Sequence, residues 1–349
     1  MVFFLAIAII KVLGNNQFHV EKYYTADFYF FFSIALRVLF GWIPFSVGDL
    51  LYLFAGFWLL WKLIKNARLI FRREFDRTKL KKELIQLTVI LATVYIVFNI
   101  FWGLNYNRKG ISWQLQLSPD DYNETSLKSI TILLLQKVNA TKKILVKDRI
   151  GYPANKDLFD RAKACYHVAA IGYPFIRYQG LSVKSSMYGR LGDYLGFTGY
   201  YDPFTGEAQV NTTVPKFLLP YITLHEMGHQ LGYAKEDEAN FSGYLAAANS
   251  RDTLFQYSAY LDLFTYANRE VFYVDSVAAK ELTSQLIPEV KADLTEWHRF
   301  NMKYTSFFEP AISWLYGKYL MANQQPKGLR SYNDVVATLI AYYKKYGKI

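Results

Sequence analysis

Residues Leu224 to Phe241 read LHEMGHQLGYAKEDEANF: two histidines four apart, a glutamate between them, a glycine, and then a second cluster of acids. On a helix, side chains at i and i+4 emerge from one face, so His225 and His229 converge on a single point and Glu226 reaches the space opposite them. This is the His-Glu-x-x-His pattern. Neutral imidazole nitrogens bind zinc at about 2.0 to 2.1 Å and a catalytic ion keeps one position open. The ion polarises a scissile carbonyl, and Glu226 is the expected general base, taking a proton from water and passing it to the leaving amine. The chain holds only five histidines, so the pairing stands out against the alternative of a surface helix that happens to carry two of them. The expected cofactor is Zn2+.

A catalytic zinc needs a third protein ligand. Gly232 can take the left-handed conformation that ends a helix, which lets the chain double back and present an acid from a second helix. Glu236 and Glu238 are two residues apart and point to different sides. Glu236 shares its face with Asn240 at i+4, where an amide can orient a ligand. Glu236 is therefore the expected third ligand, with Glu238 as the alternative and Asn240 as a hydrogen-bonding support; Asp237 faces away.

Upstream, a Pro-Phe-Thr-Gly turn leads into a short strand, Glu207, Ala208, Gln209, Val210 and Asn211, read as an edge strand able to pair with an extended peptide substrate. A structural hairpin is the competing reading. For a donor to the developing oxyanion the first choice is Tyr257 in FQYSAYL, with Tyr260 and His298 behind it. His167 in CYHVAA reads as a core residue. Arg330 fits a pocket or a surface turn equally well. Cys165 reads as a small buried apolar residue, and the Asn-x-Ser/Thr triplets at Asn123, Asn139 and Asn211 as chance.

The 349 residues are 52% hydrophobic and 18% aromatic, a composition that calls for lipid as part of the solvent. The clearest span lies within ELIQLTVILATVYIVFNIFWGLNYNR (Glu83 to Arg108) and a second runs from Val47 to about Ile64. MVFFLAIAIIKVLG is the expected first span. Asp27 to Asp49 is expected to lie in the membrane interface, because Arg37 would otherwise sit in mid-bilayer. The net charge is +11, but nine of the Lys and Arg fall between Lys62 and Lys82 against two acids. That block marks a cytoplasmic loop rather than a nucleic-acid surface. The expected organisation is a membrane region over residues 1–106, about three spans plus the interfacial helix, and an extracytoplasmic domain over 107–349. That domain reads as mainly α with a small β-sheet (α+β). Pro215 and Pro220 break the apolar run before His225, which argues against an intramembrane protease.

At His225, Glu226, His229 and Glu236 the chain resembles the gluzincin metallopeptidases, whose second helix carries Glu-x-x-x-Asp; Asn240 stands where those families have aspartate. The third histidine of metzincins would fall at Lys235. Over nearly its whole length the chain also resembles a bacterial membrane family, the domain of unknown function 3810, in IPFSVGDLLY, FWGLNYNR, DPFTGEAQVN, HEMGHQLGYAKEDEANF, FQYSAYL and GLRSYNDVV. The resemblance implies a multi-pass protein of the bacterial inner membrane with a zincin-like domain on the periplasmic or extracytoplasmic side. The function expected is zinc-dependent endopeptidase action on peptides or envelope proteins. The alternative is a noncatalytic scaffold that retains a structural zinc site. Another amide or ester hydrolase with the same metal chemistry is a third reading.

Overall fold

The computed structural model describes every residue except Met1, Asp120, Asp121 and Phe308. Helix α1 (Val2–Gly14) has 13 residues, a length of about 20 Å against the roughly 30 Å of a hydrocarbon core. After it come α2 (Gln17–His19), a π-helical segment (Val20–Tyr29) and α3 (Phe30–Gly41). Residues Phe3–Gly14 and Gln17–Gly41 form a pair bent by 92° that passes as one apolar span only when taken together.

Arg37 faces into the protein, 2% exposed, while the same helix carries the exposed apolar side chains Phe31, Val38 and Leu39 on its other side. Its Nε donates to the Gln179 carbonyl at 2.8 Å and its Nη1 to the Gln230 carbonyl at 2.8 Å, and the guanidinium lies 5.1 Å from the Tyr178 ring centroid. Nearby, Arg108 Nη2 pairs with Glu21 Oε1 at 2.8 Å. One face of residues 20–41 is thus packed into the downstream chain, its buried charge satisfied by protein groups.

Helices α4 (Val47–Phe71) and α5 (Arg77–Phe101) are long and apolar enough to cross a membrane. Ser46 caps α4 by accepting from the Asp49 amide, and Asp76 caps α5 by accepting from the Lys79 amide. The basic block is carried by the end of α4, a short turn and the start of α5. Lys62 bridges the two helices through Glu83 at 2.8 Å.

The rest of the chain is mainly helical: α6 (Gly110–Gln114), α7 (Glu124–Lys147), α8 (Asn155–Gly172), α9 (Gly189–Leu195), α10 (Leu219–Gln230), α11 (Glu236–Asn249), α12 (Thr253–Val274), α13 (Ser276–Ser284), α14 (Pro288–Tyr304), α15 (Glu309–Ala322) and α16 (Asp334–Tyr346). The apolar stripes of α7, α8, α10, α11, α12 and α16 meet in one core containing Leu134, Tyr166, Leu224, Phe241, Leu263 and Leu339. The apolar pattern after Thr253 reads as one helix to about Ala279, but the chain breaks at Asp275, whose carboxylate accepts from the Ala278 amide and starts a new helix.

Three short strands, β1 (Val183–Ser185), β2 (Gly199–Asp202) and β3 (Glu207–Val210), form a sheet in the order β1-β3-β2. Strand β3 runs parallel to β1 and antiparallel to β2. This corrects the edge-strand reading. Glu207, Ala208, Gln209 and Val210 form the middle strand, with both backbone edges already paired. Asn211 follows it and donates to Asp193 Oδ1 at 2.8 Å. Alternation along a segment reveals a strand but says nothing about its neighbours, which here come from residues up to 25 positions away.

Candidate metal centre

Helices α10 and α11 meet at Gly228, where a side chain would collide with Ser242. Between them the backbone turns at Gly232, whose φ of +82° suits glycine. A Cβ there would also stand 2.9 Å from Asn105 Oδ1. This close antiparallel turn carries the acids of α11 back onto the histidines of α10.

Three donors result. His225 Nε2 lies 3.2 Å from Glu236 Oε2, and His229 Nε2 lies 3.5 Å from the same oxygen. The three ligand atoms all fall within 4.8 Å of one another. Tetrahedral ligands at about 2.0 to 2.1 Å from an ion stand roughly 3.3 Å apart, so these separations suit one divalent ion. Each imidazole is held from behind. His225 Nδ1 is 2.7 Å from Asn240 Oδ1 and His229 Nδ1 is 2.7 Å from the Tyr233 carbonyl. Both partners are acceptors, so the Nδ1 atoms donate and the Nε2 atoms face inward. The Tyr316 hydroxyl donates to Glu236 Oε1 at 2.8 Å, while the buried Glu236 Oε2 faces the two imidazole Nε2 atoms. Two nitrogens and one carboxylate oxygen, converging on one point, fit a zinc-type ion.

The electrostatics follow from burial. Burial alone would raise the Glu236 carboxyl, but hydrogen bonds to both imidazoles hold it well below the usual carboxylate range. Burial would lower His225, yet Glu236 and Glu226 carry it up to about 9, so an incoming ion displaces a proton there. Burial pushes Glu226 up to about 7, with the two imidazoles pulling the other way. Glu226 Oε2 is buried and has no hydrogen-bond partner. Strand β2 crosses directly over this carboxylate because residue 199 is glycine, where any side chain would strike Glu226.

The centre opens into a cleft of about 770 Å³ walled by β2, α12, α15 and the C-terminal end of α5. Trp102, which ends α5, donates its indole N–H to the His229 carbonyl at 3.2 Å. The Tyr332 ring stacks on His225 at 6.3 Å between centroids. Ser258, Asp262 and Tyr266 of α12 line the same space.

Of the residues singled out from the sequence, His225, Glu226, His229, Glu236 and Asn240 are brought together. Glu238 is turned away, packed on Gly110 with its Oε1 3.9 Å from Lys235 Nζ. Tyr257 is a correction: its hydroxyl binds Asp293, and its ring lies beside Lys142, outside the cleft. One helical step separates it from Ser258, and a rotation of about 100° turns it onto a different face of α12. Tyr260 and His298 also lie outside the cleft lining, and Arg330 sits 5.9 Å from the Tyr273 ring instead. His167 is exposed rather than core, with Nε2 3.1 Å from the Tyr178 carbonyl. Cys165 is buried, and burial pushes its thiol up to about 12. Sequence reasoning missed Tyr316, Tyr332, Asp262, Tyr266 and Trp102. Trp102 and Tyr332 fall in the quoted stretches FWGLNYNR and GLRSYNDVV, whereas nothing local distinguishes Tyr316 among 29 tyrosines.

No curated protein and no solved structure matches this chain. The model of one family matches residues 24–340, a stretch that takes in both apolar helices and the whole of the metal centre, and the chain belongs to that family, described as protein of unknown function (DUF3810).

Proposed function

We propose that the protein is a membrane-anchored, gluzincin-like zinc endopeptidase that cleaves peptides or envelope proteins outside the cytoplasm of a bacterial cell. The observation that carries the reading is the pairing, in one cleft, of a three-donor cluster with a buried Glu226 oxygen that lacks a partner. A bound zinc ion would supply Lewis-acid chemistry, polarising a carbonyl and making water more acidic. His225, His229 and Glu236 would hold it. Asn240 and the Tyr233 carbonyl keep the imidazoles in the binding tautomer, and Tyr316 fixes the rotation of Glu236. Glu226 Oε2 accepts a proton from attacking water and returns it to the departing amine. Strand β2, an outer strand lining the cleft, offers main-chain groups to an extended substrate, the role expected of β3 from the sequence. The basic turn between α4 and α5, held at the cytoplasmic face, would put the other ends of both helices and the cleft outside.

The test is purified protein loaded with zinc and a broad fluorogenic peptide mixture. Wild type is expected to cleave, and Glu226→Gln to retain one zinc per chain while losing about 10² to 10⁴ of the rate. A zinc-loaded wild type that cleaves nothing would turn the reading toward a noncatalytic scaffold.

A further inference from the structure

We infer that the cleft opens at the level of the bilayer surface, that α9 and α15 rest on the lipid interface at its mouth, and that its substrates are polypeptides tethered to the same membrane. The substrate part rests on the hydrolase reading; the placement of the helices does not.

The level is set by α4. Its first turn is buried in the protein, and its apolar side chains become exposed from Leu51 onward, which marks where lipid begins. Asp49, two residues earlier, pins the start of α9. The Met187 amide donates to Asp49 Oδ2 at 2.7 Å and the Tyr188 hydroxyl to the Asp49 carbonyl at 2.6 Å. Helix α15 packs against α9. It is also tied to the outer end of the other apolar helix: Tyr319 and Tyr106 hydroxyls meet at 3.1 Å, and Tyr106 packs on Trp102 with ring centroids 5.1 Å apart. Tyr52 of α4, Trp102 and Tyr319 line the same cleft as the metal donors. The walls of the site and the ends of the membrane helices are therefore the same residues.

The surface fits that level. Leu191 and Tyr194 of α9 and Trp314, Leu315 and Met321 of α15 are exposed, Trp314 at 62%. Lys318 stands 5.8 Å from the Trp314 ring, an aromatic paired with a cation whose long stem can reach headgroups. Continuity with the exposed flanks of α4 and α5 favours lipid as what covers this patch.

The experiment has two arms on full-length protein in phosphatidylcholine–phosphatidylglycerol vesicles. In the first, the Leu315→Cys variant carries an environment-sensitive fluorophore on its introduced thiol, the native Cys165 being buried, and shallow spin-labelled lipid is added. Strong quenching is expected. Absence of quenching, or a disulfide joining the introduced thiols of two copies in its place, overturns the inference. In the second, a fluorogenic peptide mixture is supplied free, palmitoylated directly beside the variable segment, or palmitoylated through a flexible linker of about twenty residues, which spans roughly 25 Å. Directly anchored peptide is expected to be cleaved about 10²-fold faster than free peptide and no slower than the long-linker form. Equal rates for free and anchored peptide, or cleavage of the long-linker form alone, overturn it. Quenching without cleavage of any form supports the membrane-level cleft and overturns the hydrolase reading instead.

Discussion

Two clusters of buried polar side chains lie side by side in this protein, and they are finished differently. Where the sheet meets the start of α4, the Glu207 carboxylate accepts from the Val47 amide at 3.2 Å, the Gly48 amide at 2.7 Å and the Thr205 hydroxyl at 2.9 Å. Asp49 accepts from the Met187 amide and the Tyr200 hydroxyl. Negative charge at a helix N-terminus, with its lone pairs filled, is a joint. In the candidate metal centre, by contrast, Glu226 keeps a buried oxygen without a partner, and Glu236 Oε2 faces only the imidazoles of His225 and His229. A buried carboxylate oxygen left unpaired carries a penalty of one to several kcal/mol, and folds retain such groups where a ligand completes them. Asp202 stands between the two cases: its Oδ1 takes the Phe204 and Thr205 amides while its Oδ2, packed against Gly48, takes none.

If the two clusters differ as argued, substitutions in them separate metal binding from folding. His229→Ala should have the largest effect, abolishing stoichiometric zinc by elemental analysis while the unfolding midpoint of the metal-free protein changes little. Glu207→Ala should do the reverse. Stranding two amides and a hydroxyl in the joint is expected to cost about 2 to 4 kcal/mol in denaturant unfolding, with zinc retained under native conditions. Asn240→Ala, which removes the acceptor behind His225, should weaken zinc affinity about 10- to 100-fold in chelator competition.

Asp202 gives the comparison a pH axis. Burial is the main cause that raises its carboxyl to about 6, with Glu207 and Asp49 adding to it against the two amides. Its folded pKa therefore exceeds the value of about 3.9 for an unfolded chain. The folded state holds the extra proton between these values, so stability falls as pH rises from about 4 to 6, by up to about 3 kcal/mol. Asp202→Asn keeps the acceptor for both amides and should flatten that slope, leaving the variant more stable than wild type above pH 6. The smallest effect belongs to Tyr257→Phe. With its hydroxyl on Asp293 and outside the cleft, peptide cleavage should stay within about twofold of wild type.

The parts of the site that were legible in the sequence are those fixed within one or two helical turns. The i, i+4 spacing put His225 and His229 on one face, Gly232 reversed the chain, and the i, i+4 pair Glu236 and Asn240 followed. Unbroken apolar runs likewise located the two long apolar helices. The burial of Arg37 was not legible because its partners, the carbonyls of Gln179 and Gln230, lie 142 and 193 residues away. A mid-span arginine and a buried structural one look alike until those partners are known.

The chain's own pattern thus determined the hairpin that gathers His225, His229 and Glu236, the helical class and the basic turn between the apolar helices, because each depends on backbone period and nearby charge. Only the tertiary structure decided that β3 is a middle strand, that Tyr316 and Tyr332 close the site while Tyr257 does not, and that the long apolar helices end in the walls of the cleft. Those outcomes depend on which distant surfaces bury each other, and side-chain packing across long loops leaves no periodic trace in the sequence.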